Sequence, residues 1–450
     1  MHQAWRAYAR RFATGVSCAL LASLLLSAPA IAADRARLSA DLAAQLAAGA
    51  PDIDVIVHGT RAEVDELASR YNLRVNKYLK TGAVLHVNSG QLAALAADGS
   101  QDHLSSDIAI HSTINVTAET AAADRLWDGF GGLPPLSGVG VGVAVIDSGI
   151  DTSHAALQGR VVAMRDFTGG DGIDRFGHGT HVAALIAGSG GGQPIPRDFR
   201  GIAYGAHLIN LRVLDDKGSG KASSVIEAID WAIDNRELYG IRIINLSIGA
   251  PVLQPYRDDP LCEAAERAAA AGLLVVASAG NNGVTRDGVL QYGGVTSPGN
   301  DPQVLTIGAI DAHDTADRAD DTVAAYSSRG PTTYDLVAKP NLLAPGTRVV
   351  SAEAAGALLA AIPERHVAGS GSTAYMRLSG TSMAAAVVSG AAALLLQQSP
   401  ALTPAETIDL LEETSAALRL ADSSAAVGSL DTWAAAQLLD AVLRGAESRR

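Results

Sequence analysis

Three residues in this chain have the types and settings that nucleophilic catalysis requires: Asp147, His178 and Ser382. Asp147 ends the apolar run Val143-Ala144-Val145-Ile146 and is followed by Ser148-Gly149. That puts a carboxylate at the C-terminal end of a buried strand, the edge where ligands and catalytic groups of open parallel sheets collect. His178 stands in Phe176-Gly177-His178-Gly179-Thr180-His181, at the start of a helical stretch, with glycines that let other segments approach. Ser382 stands in Ser379-Gly380-Thr381-Ser382-Met383-Ala384, at the first turn of an apolar helix. Free backbone N–H groups point outward there and favour developing negative charge. A serine hydroxyl is a poor nucleophile until a neighbouring base takes its proton. An imidazole can do so near neutral pH, and a buried carboxylate fixes its tautomer and stabilises the imidazolium. Asn281 adds a fourth part. It follows the strand Val275-Val276-Ala277-Ser278 in an Asn-Asn-Gly turn, so its amide N–H₂ and the Ser382 N–H together would bind an oxyanion. Of the other polar residues nearby, His181 reads as packing on the same helix, and Asp171 and Asp174 as solvated loop acids.

Positioning such residues takes a sheet and helices around it. Fully apolar strands are expected at 141–146, 208–213, 241–246, 273–277 and 304–307. Helical stretches lie between them at 181–188, 223–235 and 261–271. Apolar strands joined by helical crossovers give an α/β fold, with a mostly parallel sheet covered on both faces. The stretch 383–398 is apolar all round and is expected to be a central helix. Two amphipathic helices follow between Thr403 and Leu443. Ahead of all this, residues 52–110 have a texture of their own: strands at 54–58 and 83–87, helices at 61–69 and 91–97. That order predicts a small α+β unit.

The Asp, His, Ser order, with spacings of 31 and 204 residues, is that of subtilisin among the known triad orders. The four segments resemble those of the subtilisin-like serine proteases, from Gly138 to Leu439. Lesser matches fall in the same order: 214–220, Asn245-Leu246-Ser247-Ile248-Gly249, Tyr326-Ser327-Ser328-Arg329-Gly330-Pro331 and Leu343-Ala344-Pro345-Gly346. The resemblance implies a three-layer subtilisin-like fold and peptide-bond hydrolysis through an acyl-enzyme. Asp147 would orient the base, His178 act as base and then acid, Ser382 attack, and Asn281 donate to the oxyanion. It further implies that Gly218, Ser219, Gly220, Ser247, Ile248 and Gly249 bind substrate backbone as an added strand. Ser278, Ala279 and Gly280 would line the pocket for the residue before the cut, with small residues that leave room for a large apolar side chain. Residues 33–115 resemble the family's propeptide, a ferredoxin-like folding helper and transient inhibitor, leaving 116–450 as the catalytic domain. Two departures stand out. Ala386 replaces a proline usual four residues after the serine, and the loop 188–200 lacks the Asn-rich sequence that binds calcium in many relatives. No cofactor and no metal site are therefore expected.

Composition bounds the rest. Apolar residues make up 48% of the chain and aromatics 4%, with 46 glycines, which suits close-packed helices on a sheet. Residues 1–32 read as a signal peptide: Arg6, Arg10 and Arg11, an apolar stretch at 16–26, then Ala30-Ile31-Ala32. That stretch is shorter than the ~20 residues of a spanning helix, so no stable membrane anchor is expected. A secreted, periplasmic or extracellular protein follows. Net charge is −13; removing residues 1–32 leaves 31 basic and 47 acidic residues, or −16. An acidic surface argues against nucleic acid as a partner, leaving protein or peptide substrates. A monomer is expected. Of two cysteines, Cys18 leaves with the signal, and Cys262 stands alone. Asp147-Ser148-Gly149 has no second Asp-Ser-Gly or Asp-Thr-Gly, as an aspartic protease requires. No Gly-x-Ser-x-Gly surrounds Ser382, and the glycines at 138–142 precede their strand instead of following it. A catalytically silent secreted binding protein on the same scaffold is the alternative from another class; it would be marked by a lost triad member, and none is lost.

Overall fold

The computed structural model describes residues 36–107, 116–189, 199–418 and 427–447. The expected signal peptide, most of the 188–200 loop and the first half of the segment 111–120, where cleavage of the propeptide is expected, lie outside the described residues. The chain divides into two compact units, with the boundary between Ser112 and Thr113.

The N-terminal unit is a five-stranded sheet with strand order Arg37–Leu38, His103–Ser106, Ile53–His58, Gly82–Val87 and Arg74–Leu79. Alternation in Ile53–His58 buries Ile53, Val55 and Val57 against Leu67, Leu85, Leu92 and Leu95. Its helix Arg61–Tyr71 opens with a capping box, in which Thr60 and Glu63 satisfy each other's backbone N–H. It closes on Asn72 in the left-handed conformation. Three strands here were not expected from sequence, the first being the two-residue Arg37–Leu38. Arg74–Leu79 is an exposed edge strand without an apolar face, and His103–Ser106 carries one apolar residue.

In the second unit seven strands of a ten-stranded sheet run, in spatial order, Leu342–Pro345, Leu305–Asp311, Leu274–Ser278, Ile241–Leu246, Gly142–Asp147, His207–Arg212 and Val161–Asp166. All six of these pairings are parallel. The two-residue period of a strand divides the core in two. Val143, Val145, Ile243 and Val276 face the helices His178–Ala187 and Thr381–Gln398. Ala144, Ile146, Ile244 and Val275 face Ala222–Asp234 and Pro260–Ala270. The outcome is helix, sheet, helix. Thr381–Gln398 is the one described helix long and apolar enough to cross a membrane, and 83% of it is buried in this core. It continues unbroken through Ala386, which is fully buried. A methyl group on Gly390 would lie 2.6 Å from Ile202 Cβ, so glycine lets this helix pack closely against that segment. The edge strand Val161–Asp166, the strand Leu342–Pro345 and a separate antiparallel sheet of Val349–Ala352, Tyr375–Leu378 and His366–Ala368 were not among the expected elements.

Candidate active site

Asp147 is the last residue of its strand and is fully buried. Its carboxylate accepts from the Ser148 N–H at 2.7 Å and from His178 Nδ1–H, 2.8 Å to Oδ1 and 2.9 Å to Oδ2. His178 begins its helix after Gly177, whose φ of 101° suits glycine. A methyl group on Gly179 would sit 2.2 Å from Gly149 O, so glycine there is what lets the helix start meet the strand end. With Nδ1 committed to Asp147, a neutral imidazole carries its lone pair on Nε2. Burial disfavours the imidazolium, but the charge of Asp147, the hydrogen bond to it and the charge of Asp174 prevail, and the His178 pKa is raised.

Asp174 corrects the expectation of a solvated loop acid. It is 2% exposed, and burial pushes its pKa up against the opposing hydrogen bonds. Oδ1 accepts from Ser148 Oγ at 2.9 Å and from the N–H groups of Phe176 and Gly177; Oδ2 accepts from Thr180 N and Oγ1. Ser148 Oγ in turn accepts from Gly179 N at 2.9 Å. One buried carboxylate therefore caps the helix that carries His178 and ties it to the residue after Asp147. Asp171 is about half exposed and paired with Arg175, whose hydrogen bonds hold it well below the usual carboxylate range. His181 is fully buried and donates from Nε2 to Val349 O; burial, then the charge of His178, lowers its pKa to about 3. It is a neutral packing residue.

Ser382 is the second residue of its helix and is partly exposed. A polar ladder sets the helix start against the sheet: Ser389 Oγ donates to Asn245 Oδ1, Asn245 Nδ2 to Ser247 Oγ, and Ser247 Oγ to Ser382 O, each at 2.9 Å. Ser382 Oγ donates to Ser247 O at 2.9 Å, and not to His178. Asn281 is oriented by its carbonyl, which accepts from Thr381 N at 3.0 Å and Thr381 Oγ1 at 3.2 Å. Its N–H₂ makes no hydrogen bond among the described residues and lies beside the helix start, 3.4 Å from where a methyl group on Gly380 would be.

A cleft of about 310 Å³ opens beside His178. Phe176, Leu214, Val225, Ile248 and Leu261 wall it with apolar groups, and Gly218, Gly220, Ser247 and Gly249 bring backbone to its surface. Gly218 has φ 75°, and a methyl group on it would meet the Phe176 ring at 2.6 Å. Ser219 is exposed on the same turn, its O accepting from Asp215 N. The strand-end residues are placed differently from one another. Ser278 is 4% exposed and Ala279 fully buried, its N donating to Ile307 O and its O accepting from Thr296 N; Gly280 is partly exposed. None of the three lines the cleft beside His178, and Gly280 is the most exposed of them. Cys262 is fully buried, and burial pushes its thiol up to about 12, which leaves it unreactive.

The chain is similar to known proteins in sequence and in fold. The sequence model of the Subtilase family (peptidase S8) matches residues 138–431. The chain is 39% identical over 284 residues to serine protease AprX of Bacillus subtilis, covering 62% of this chain and 61% of AprX. It is 32% identical to subtilisin DY of Bacillus licheniformis, over 64% of this chain and 86% of that protein. The crystal structure of a cold-adapted subtilisin-like serine proteinase superposes with a TM-score of 0.51 at 28% identity, over 69% of this chain and 97% of the other. The family match alone spans more than half the chain and contains Asp147, His178, Asn281 and Ser382, so the chain belongs to the Subtilase family.

Proposed function

We propose that this protein is a secreted serine endopeptidase, and the observation that carries the reading is the buried Asp147 carboxylate bonded to His178 Nδ1 at the mouth of an apolar cleft. In this reading the Ser382 hydroxyl turns from Ser247 O toward His178 Nε2 by rotation about χ1. Such hydrogen bonds commonly form only with substrate in place. Ser382 Oγ then attacks the substrate carbonyl carbon as Nε2 takes its proton. The charge on the carbonyl oxygen is met by Asn281 Nδ2 and Ser382 N–H. The imidazolium, stabilised by Asp147, gives its proton to the leaving amine, and an acyl-Ser382 ester remains. Water repeats the sequence in reverse and frees the acid. Substrate backbone would lie along Ser247–Gly249 and the 218–220 turn as an added strand. Casein zymography of the secreted protein, with and without a phosphonate inhibitor, tests the reading; no clearing at any pH from 6 to 10 would end it.

Asn281→Ala is expected to lower kcat by roughly 10²–10³ with little change in KM, because its amide is needed only when charge reaches the oxygen. Steady-state kinetics on one peptide checks this. A raised KM at constant kcat would make Asn281 a ground-state contact instead.

The N-terminal unit acts in this reading as a propeptide, removed by the enzyme itself and inhibitory until degraded. Thr117–Thr120 forms a helical turn whose Thr117 and Thr120 are buried and whose Thr120 Oγ1 donates to Thr315 O. That turn belongs with the catalytic unit, so the cut is expected within 111–116, the earlier part of the segment legible from sequence. N-terminal sequencing is expected to find the wild-type protein starting there and Ser382→Ala starting near Ala33. A fully active wild-type protein that begins near Ala33 contradicts it.

A further inference from the structure

We infer that Thr296 closes the floor of the pocket for the residue before the cut and restricts that residue to glycine, alanine or serine. The inference rests on Ser382 being the nucleophile, since that fixes where the attacked residue lies. Ser382 Oγ is 2.9 Å from Ser247 O, and Asn281 directly follows Gly280. A carbonyl held between Ser382 and Asn281 directs its side chain into the gap between Ser247–Gly249 and Ser278–Gly280.

Both walls are bare where they meet this gap, and the Thr296 side chain lies against both, with Ser328 Oγ beside it at Gly280. A methyl group on Gly249 would lie 2.4 Å from Thr296 Oγ1, and one on Gly280 2.9 Å from Thr296 Cγ2 and 3.1 Å from Oγ1. Thr296 therefore touches one wall with its hydroxyl and reaches the other with its methyl. Backbone hydrogen bonds hold it in place: Thr296 N donates to Ala279 O at 3.0 Å, and Ser297 and Ala250 exchange N–H···O bonds at 2.9 and 3.0 Å. Thr296 Oγ1 also reaches Ala279 O at 3.4 Å. A β-branched side chain is stiff about χ1, so it does not swing aside for a larger group. The small residues of the two walls, which from sequence suggested room for a large apolar side chain, are small because Thr296 occupies the room.

Forcing additional methylenes against a packed floor is costly, and one methylene in a substrate pocket already discriminates roughly 10- to 200-fold. The test is kcat/KM on a peptide series varied only at the residue before the cut, with alanine and phenylalanine as the reference pair. Active-site concentration is fixed by phosphonate titration. Wild-type enzyme is expected to favour alanine by at least about 10-fold, and Thr296→Gly to raise the phenylalanine-to-alanine ratio by roughly 10- to 200-fold. Thr296→Ala serves if the glycine variant is unstable and should move the ratio the same way by less. Thr296→Val, which keeps the bulk and loses the hydroxyl, should retain the preference for alanine. A wild-type preference for phenylalanine, leucine or tyrosine overturns the inference, as does an unchanged ratio in both the glycine and alanine variants. Cleavage of no peptide together with no labelling of Ser382 would instead overturn the peptidase reading and take this inference with it.

Discussion

Replacing Ser382 with alanine is expected to lower turnover by about 2 × 10⁶-fold, the loss found when subtilisin is deprived of its serine, while the fold survives. The size follows from the chemistry. Without the hydroxyl there is no acyl-enzyme, and only oxyanion stabilisation and substrate binding remain to assist water. The structural cost is small. The variant loses one hydrogen bond to Ser247 O, worth about 1 kcal/mol, while Ser247 Oγ keeps its bond to the backbone carbonyl of residue 382. Alanine is also the better helix former at the start of Thr381–Gln398. Because the variant cannot process itself in this account, a trace of active enzyme should supply the cut before kinetics are measured. Unchanged circular dichroism with residual turnover near the background rate is the expected result. Activity within a hundredfold of wild type would remove Ser382 from the role.

Asp147→Asn is expected to cost about 10⁴ in kcat, in line with the loss from removing the triad carboxylate in other serine proteases. An amide facing His178 Nδ1 donates as readily as it accepts, so the imidazole is left in a tautomer whose Nε2 bears the proton and cannot take one from Ser382. The pH profile provides a second reading. In the wild type, burial opposes protonation of His178, but Asp147 outweighs it through charge and hydrogen bond. The base is active only when neutral, so kcat/KM should fall as pH drops through a value above the ordinary histidine pKa. In Asp147→Asn the burial remains and the largest opposing charge is gone, so the acidic limb should move to lower pH, with Asp174 alone still raising the pKa. A loss below tenfold, or an acidic limb that stays in place, would show that Asp147 does not govern the imidazole.

The buried strands around Gly142–Asp147 were legible because both their faces are covered, so each reads as an unbroken apolar run. The same rule explains what was missed. Val161–Asp166 alternates between exposed and partly buried positions, and its apolar run ends after four residues at Arg165, so it lacks the long unbroken run that marks the central strands. The three-stranded antiparallel sheet depends on pairing between residues as distant as Val349 and Leu378, which no local pattern encodes. His178 and Ser382 could be found because glycines around a helix start leave a trace in the sequence. Asp174 could not be weighed correctly: Gly-Gly-Asp-Gly-Ile-Asp-Arg reads as solvent loop, and its burial depends on Ser148, 26 residues away. Its one local signal was an aspartate three residues before Gly177, positioned to accept the N–H groups that open the next helix. Thr296 gave no signal at all, since its effect arises from two glycines in the segments that follow different strands.

The most direct test of the central claim is mass-spectrometric mapping of a phosphonate adduct on the mature enzyme. A single adduct on Ser382 is expected, formed faster as pH rises through the His178 pKa, and abolished in His178→Ala. An adduct on any other residue, or labelling of Ser382 that is indifferent to loss of His178, would contradict it.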